Sequence, residues 1–369
     1  GHATEVNPHP NADRLRLVTV DYGGEEPAEV VCGAPNVESG QKIVLARVGS
    51  RLTDPDSGRD MTLKAARIRG VVSEGMVCSE RELGLGDDHT GIMVLPKDAP
   101  EGTLLDNYLG DIVLDIDITP NRPDWASMIG IAWEVAALSG GKVRMPHTSY
   151  EAKGSEVSST GRLVEVEAPD LSLRYTASLV SGLTLGESPG WMQLRLQSAG
   201  VRSINNVVDV TNYVMLEYGQ PLHSFDRAGL EGGGVIVRRS KSGERLTTLD
   251  GRTHELTIDD LIIADTSGPV GLAGVMGGES SEVSETTTEV LLESATFSYE
   301  SVRKSVQRHR IEVGGKRGTE ASQRFERGLP EGLAPEALRR ATRLLVEYCG
   351  GTAADGIIDA FEDPTPVTP

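Results

Sequence analysis

Between Ser203 and Asp226 the chain reads SINNVVDVTNYVMLEYGQPLHSFD, in which Asn205, Asn206, Thr211, Asn212, Gln220 and His223 interrupt an apolar run. Each of these side chains can donate and accept hydrogen bonds, and each is costly to bury unpaired. The valines, Met215 and Leu216 between them nonetheless predict burial. Such a wall is either a satisfied structural network or a pocket that reads a small polar ligand. Glu293 adds a carboxylate inside VLLESATF, where an acid among strand-forming apolar residues requires a partner. The glycines of GLAGVMGG, Gly271–Gly278, either turn the chain tightly between strands or let a ligand approach the backbone. His223, Glu293, Thr211, Asn212, Thr319 and these glycines are the candidates for chemistry. No GxSxG elbow, HExxH pair or phosphate loop competes with them, and no metal site is expected.

The elements that must position these residues follow from pattern. VVDVTNYVMLEYG predicts a buried helix, and PGWMQLRLQSAG a helix started at Pro189 and stopped by Gly200. RLVEVEA, YTASLVSGL, Val235–Arg239, Glu244–Thr248, Leu261–Asp265 and Val290–Ser294 read as strands. Pro335–Cys349 is an amphipathic helix with Leu338, Ala341, Leu345 and Tyr348 inward. Together they predict a large mixed domain over 151–351, entered through a Ser- and Gly-rich linker, Tyr150–Gly161, and left through a linker over 352–369.

The first 111 residues differ in texture. Short β-rich runs at Leu15–Tyr22, Glu29–Cys32, Lys42–Ala46, Thr62–Ile68, Gly75–Cys78 and Ile92–Leu95 alternate with turn residues and predict a small closed β-barrel of oligonucleotide-binding type. Lys64, Arg67 and Arg69 fall on one candidate strand, with Arg67 and Arg69 on a shared face. Asp111–Thr119 then alternates as a half-buried strand. Asp124 is placed to cap a helix from Trp125 to Leu138 whose buried stripe is Met128, Ile131, Ala132, Val135 and Leu138.

Composition narrows the partners. A net charge of −19, with 11 basic against 19 acidic residues over Gly1–Asp111, speaks against a chain that grips a phosphate backbone by itself. One segment runs the other way: Val302–Gly328 holds Arg303, Lys304, Arg308, Arg310, Lys316, Arg317, Arg324 and Arg327 against three glutamates. It is either a nucleic-acid contact or a solvated loop balancing nearby carboxylates. Cys32, Cys78 and Cys349 are odd in number and widely spaced, which predicts reduced thiols in a cytoplasmic protein. Neither a membrane-length apolar run nor a signal peptide is visible. The missing initiator Met and the linker-like FEDPTPVTP suggest a piece of a longer polypeptide.

Particular motifs carry a resemblance. HPNADRL (His9–Leu15), VVCGAPNV (Val30–Val37) and IRGVVSEGMVCSERELGL (Ile68–Leu85) together resemble the tRNA-binding oligonucleotide-fold module of several synthetase-associated proteins. INNVVDVTNYVMLEYGQPLHSFD, GLAGVMGG, VLLESATF and TEASQRFERG resemble the editing domain of bacterial phenylalanyl-tRNA synthetase beta subunits, and DITPNRPDWASMIGIAWEVAALSG resembles the segment that follows the barrel there. The resemblance implies an α+β multidomain chain: a small β-barrel (1–111), a strand-helix segment (112–150) completing a small domain whose first half is missing, and a larger mixed α/β editing domain.

For activity, the resemblance implies hydrolysis of tyrosine wrongly attached to phenylalanine tRNA, by water and without a covalent acyl-enzyme. Glu293 would recognise the tyrosine hydroxyl with His223 beside it, and Thr211 and Asn212 would hold the aminoacyl end. Gly274 and Gly277 would form the glycine-rich wall, with Thr319 and Ala321 on the far side. Lys64, Arg67, Arg69, Arg308 and Arg310 are the candidate tRNA contacts. The implied partners are phenylalanine tRNA and an alpha subunit, in a heterotetramer of two alpha and two beta chains, with no DNA or membrane. ATP and magnesium would serve the intact synthetase, and this piece would need neither. The rival reading is a non-catalytic tRNA-binding or subunit-docking module. Two departures from the family pattern are the longer basic loop Val306–Thr319 and Ser224 where alanine is usual.

Overall fold

A computed structural model describes residues 1–54, 59–86, 88–110, 112–161 and 163–361. The chain divides into two compact units, Gly1–Ile112 and Val113–Pro369.

The first unit is built from β-strands. Its main sheet runs Val94–Leu95, Lys42–Ile43, His2–His9, Ala12–Asp21 and Ala28–Cys32, every neighbour antiparallel. Alternation along these strands sends Ala3, Val18, Val20, Val30 and Ile43 into a shared core. Just past Ile43 the chain forms a second pair, Leu45–Arg47 with Gly75–Val77. Glu74 N donates to Glu29 O at 3.0 Å and Val31 N to Ser73 Oγ at 3.0 Å, which ties the last strand of the main sheet to the segment entering that pair. The expected strand Thr62–Ile68 does not form. Thr62 ends the hairpin Arg51–Thr53/Asp60–Thr62, and Ala66–Ile68 begins another with Val71–Ser73. Lys64 therefore lies between hairpins, and Arg69 sits in the turn at φ +47°, so Arg67 and Arg69 do not alternate along one strand.

In the second unit two sheets face each other. One has the order Val164–Val166, Val235–Arg239, Leu261–Ala264, Pro269–Leu272, Met276–Gly277, its first pair parallel and the others antiparallel. The other has Leu222–Asp226, Glu289–Phe297 and Ser172–Ser181, all antiparallel. Tyr175, Ala177, Leu179, Phe225, Val237, Ile263, Leu291 and Phe297 fill the space between the sheets. On the outer face of the second sheet, Val180, Val290 and Leu292 meet Val207, Val210 and Val214 of the helix Asn206–Tyr218, and Leu338, Ala341 and Leu345 of the helix Leu333–Tyr348. The central strand Glu289–Phe297 is thus buried on both faces, which explains its near-continuous apolar run.

Residues 352–361 are not linker: Thr352–Ala353 and Ile358–Phe361 both pair with Ser172–Ser181, while 362–369 lie outside the described residues. The preceding Ser-rich stretch is tied to the same edge by Gly154 N donating to Ala353 O and by a bridge from Glu156 to Asp355. Of the expected strand Asp111–Thr119, Asp111 lies outside the described residues, and residues 112–119 form no strand, with Val113 and Leu114 60% and 76% exposed. The helix that follows spans Met128–Ser139 and is capped by Ser127, whose Oγ accepts from Gly130 N; Asp124 lies in the preceding 3-10 turn Pro123–Trp125 and pairs with Arg122. Of its expected buried stripe, Met128, Val135 and Leu138 are exposed, at 59%, 55% and 82%, while Ile131 and Ala132 are half-buried. The three cysteines are separate and buried; burial pushes the Cys78 and Cys349 thiols up to about 12. Among the described residues no helix is long and apolar enough to cross a membrane.

Candidate functional site

Strand register places the carboxylate. Along Glu289–Phe297, Val290, Leu292 and Ser294 turn to the helices, while Leu291, Glu293, Ala295 and Phe297 turn to the facing sheet. Glu293 therefore occupies a core position, 8% exposed. His223 lies directly opposite it on one neighbouring strand and Ala177 on the other. Tyr175, opposite Ala295, reaches Glu293 diagonally, and its hydroxyl donates to Oε2 at 2.5 Å. Burial pushes Glu293 up to about 7 against the opposing pull of that hydrogen bond. Tyr175 is held well above the usual phenol range, by burial first and the Glu293 charge second, and so remains a donor.

His223 is half-buried, but its Nε2 is sealed from solvent with no hydrogen-bond partner. Its ring stands edge-on to Phe225 at 4.4 Å, and burial pushes the imidazole down to about 4, which keeps it neutral at physiological pH.

The opposite wall is the turn between Pro269–Leu272 and Met276–Gly277. Gly274 takes φ +68°, and a Cβ there would stand 2.9 Å from Val302 and 3.0 Å from Phe297. A Cβ on Gly277 would meet His223 Cε1 at 2.4 Å. Glycine at these two positions leaves room for the imidazole and for a cavity of about 260 Å³. Asn212, His223, Gly274, Gly277, Glu293, Thr319 and Ala321 all line that cavity, with Leu249, Ile263 and Phe325 supplying apolar surface. Thr319 caps the helix Glu320–Phe325 by accepting from Ser322 N, and donates to Val275 O at 2.9 Å. In the basic stretch Val306–Thr319, Val306–His309 end the helix Tyr299–His309 and Glu312–Val313 pairs with Lys316–Arg317 in a hairpin, after which Thr319 stands on the cavity wall.

A second cleft of about 480 Å³ adjoins at Glu320 and is lined by Asp115, Asp117, Lys316, Gln323 and Arg327 among others. Its buried cation, Arg324, is committed to Glu320 and to Ala126 O. The buried, unpaired polar chemistry belongs to the smaller cavity.

Two family models match the chain, one described as a tRNA binding domain over residues 1–104 and the B3/4 domain over 171–350. The phenylalanine--tRNA ligase beta subunit of Dehalococcoides mccartyi is 50% identical over 362 residues, covering 98% of this chain and 44% of that protein. The beta subunit of Geobacter sulfurreducens is 47% identical over 366 residues, covering 99% and 44%. The chain belongs to the phenylalanine–tRNA ligase beta-subunit family. It spans less than half the length of these ligase subunits. A solved N-terminal fragment of the phenylalanyl-tRNA synthetase beta-subunit from Pyrococcus horikoshii is similar over 66% of this chain and 65% of its own, with a TM-score of 0.33 and 16% identity.

Not every residue expected from the ligase resemblance reaches the cavity. Thr211 is buried and spends its hydroxyl on Val208 O at 2.7 Å within its own helix. Asn205 caps that helix through Val207 N and Val208 N, Asn206 ties it to Thr184 O, and Gln220 Nε2 donates to Ala295 O. Of the polar residues in Ser203–Asp226, Asn212 and His223 line the cavity. Arg308 is turned inward rather than toward a nucleic acid: it pairs with Asp260, a fully buried carboxylate that also accepts from Ser305 Oγ and contacts His309 Nε2 at 3.0 Å. Arg310 is exposed at the end of its helix, with φ +50°. Lys64, Arg67 and Arg69 are exposed in the first unit. Tyr175 escaped the sequence reading. The period-2 pattern of YTASLV puts it on the same face as Ala177, but only strand register reveals that this face meets Glu293.

Proposed function

We propose that this chain carries the editing site of a phenylalanine–tRNA ligase beta subunit and hydrolyses tyrosine wrongly esterified to phenylalanine tRNA. The observation that carries the reading is Glu293, a core carboxylate exposed only to a cavity of side-chain size beside His223. A synthetic pocket rejects a ligand that merely adds a hydroxyl by only ~10²-fold, so a second sieve is required. Here the phenol of a tyrosyl ester donates to the carboxylate, whereas phenylalanine displaces water and leaves it short of a hydrogen bond. That deficit costs about 1–3 kcal/mol, or roughly 5- to 150-fold. The neutral imidazole of His223 can accept a hydrogen bond, while Asn212 and the backbone of the glycine turn offer polar contacts to the ester. Positioned water then attacks the ester carbonyl directly, and no acyl-enzyme forms.

The first unit is read as the oligonucleotide-binding barrel, a reading supported by the strand ties around its core and by the tRNA-binding model. Residues 112–150 are read as part of a further small domain; the apolar side chains that helix Met128–Ser139 leaves exposed favour a protein surface over them. The partners are then phenylalanine tRNA and the ligase alpha subunit, in a two-alpha, two-beta complex of the cytoplasm. ATP and magnesium belong to amino-acid activation on the alpha subunit. Among the described residues no group of three or more His, Cys, Asp or Glu side chains is arranged to hold a metal, and no editing step is routed through one.

Deacylation of tyrosyl-tRNA(Phe) by the assembled ligase tests the reading. Glu293→Ala is expected to erase the preference for tyrosyl over phenylalanyl ester. An unchanged rate and preference in Glu293→Ala combined with His223→Ala would sink the assignment, and tRNA binding without hydrolysis would favour a docking module.

A further inference from the structure

Glu293 has two carboxylate oxygens, and the fold treats them differently. Tyr175 is fully buried, is absent from the cavity lining and donates to Oε2 from behind, whereas Glu293 itself lines the cavity. Tyr175 is placed by packing, its ring tilted against Phe297 at 6.5 Å, with Phe297 in turn against Phe325 at 5.2 Å. The residue directly beside Glu293 on the same strand as Tyr175 is Ala177, whose methyl group leaves the diagonal path open. Among the described residues Tyr175 is the single hydrogen-bond partner of the Glu293 carboxylate.

We propose that Tyr175 is the positioning residue of the tyrosine sieve: by committing Oε2 it fixes the carboxylate's orientation and presents Oε1 to the ligand phenol. This rests on the editing function proposed above and adds to it a residue that touches no substrate. The buried Tyr175 phenol stays protonated, so Oε2 is always an acceptor. Any proton Glu293 takes up is carried on Oε1, the oxygen facing the cavity. The ligand therefore meets a hydroxyl when Glu293 is protonated and a charged acceptor when it is ionised, and the charged form binds a phenol more strongly. The other titratable side chains facing this cavity are His223, from the neighbouring strand, and Glu320, from the helix across it, which is paired with Arg324. The helix Leu333–Tyr348 packs on the opposite face of the sheet and contributes none.

The test is the pH profile of tyrosyl-tRNA(Phe) and phenylalanyl-tRNA(Phe) deacylation by the assembled ligase. In Tyr175→Phe the ring and its packing remain, but Oε2 loses its donor. The midpoint of the tyrosyl profile is expected to rise by about one pH unit, and the tyrosine preference at neutral pH to fall roughly 5- to 10-fold. Site-specific 3-fluorotyrosine at position 175, a stronger donor of nearly the same shape, should move the midpoint the other way. In a Glu293→Gln background Tyr175→Phe should shift no midpoint. If Tyr175→Phe fails to fold, the 3-fluorotyrosine protein decides alone. A tyrosyl midpoint that stays put in the folded variants overturns the role of Tyr175 while leaving the editing function standing. Absence of tyrosyl-ester hydrolysis in the unmodified ligase overturns both.

Discussion

Glu293 stands where the alternation of its strand asks for another leucine, and the molecule bears a cost for keeping an acid there. Its pKa is raised, from 4.5 to about 7, so the folded state holds the proton more tightly than the unfolded chain. Relative to an uncharged side chain, folding loses stability as pH rises from about 4.5 through about 7, by roughly 3 kcal/mol in all. Glu293→Gln should therefore melt higher than the parent at pH 8 and lose most of that advantage at pH 4.5, as calorimetry at the two pH values will show. His223, lowered from 6.5 to about 4, acts in the opposite sense, its contribution being present above about 6.5 and lost as pH falls toward 4. Gly277 offers a steric test of the same site. A methyl group there would stand 2.4 Å from the imidazole, so Gly277→Ala should displace His223 and reduce tyrosyl-ester hydrolysis by up to about 10²-fold, measured as kcat/KM.

At the scale of elements, the site depends on a strand buried on both sides and on a helix whose polar residues hold it in place. Leu291→Ala, which empties core space two residues from Glu293, should cost about 2–5 kcal/mol in denaturant unfolding. Asn205→Ala, which removes the cap of the helix Asn206–Tyr218, should cost about 1 kcal/mol. These elements were legible in the sequence because burial imposes period: VVDVTNYVMLEYG, VLLESATF and PEALRRATRLLVEYC each show the spacing of their observed structure. What misled was apolar pattern without a packing partner. The spacing from Met128 to Leu138 is that of an amphipathic helix, and a helix forms, yet the fold turns Ile129 to the core and leaves Met128, Val135 and Leu138 in solvent. The polar residues of Ser203–Asp226 divide in the same way. Their types announce hydrogen bonding, but whether a given amide caps a helix or faces a cavity is decided by residues far away in sequence, such as Thr184 and Ala295.

For the whole chain the decisive property is charge. A net charge of −19 opposes approach to a phosphate backbone, and half of the cations in the basic stretch Val302–Gly328 are engaged with carboxylates: Lys304 with Glu300, Arg308 with Asp260, Arg317 with Glu326 and Arg324 with Glu320. Binding of tRNA by this chain alone should thus be weak, with a log–log salt slope shallower than about −3, measurable by fluorescence titration. A steep slope would mean that Arg67, Arg69 or Arg310 grips phosphate after all. The doubly covered strand has one more consequence, for evolution. The Glu293 amide sits at the centre of a sheet with neighbours on both sides and helices behind, so its hydrogen should exchange with solvent only through global opening. A carboxylate anchored so deeply cannot be retuned by drift in a loop. New ligand preferences in descendants of this chain should instead arise at the glycine turn and the head of the helix Glu320–Phe325, where the cavity wall can change without dismantling the core.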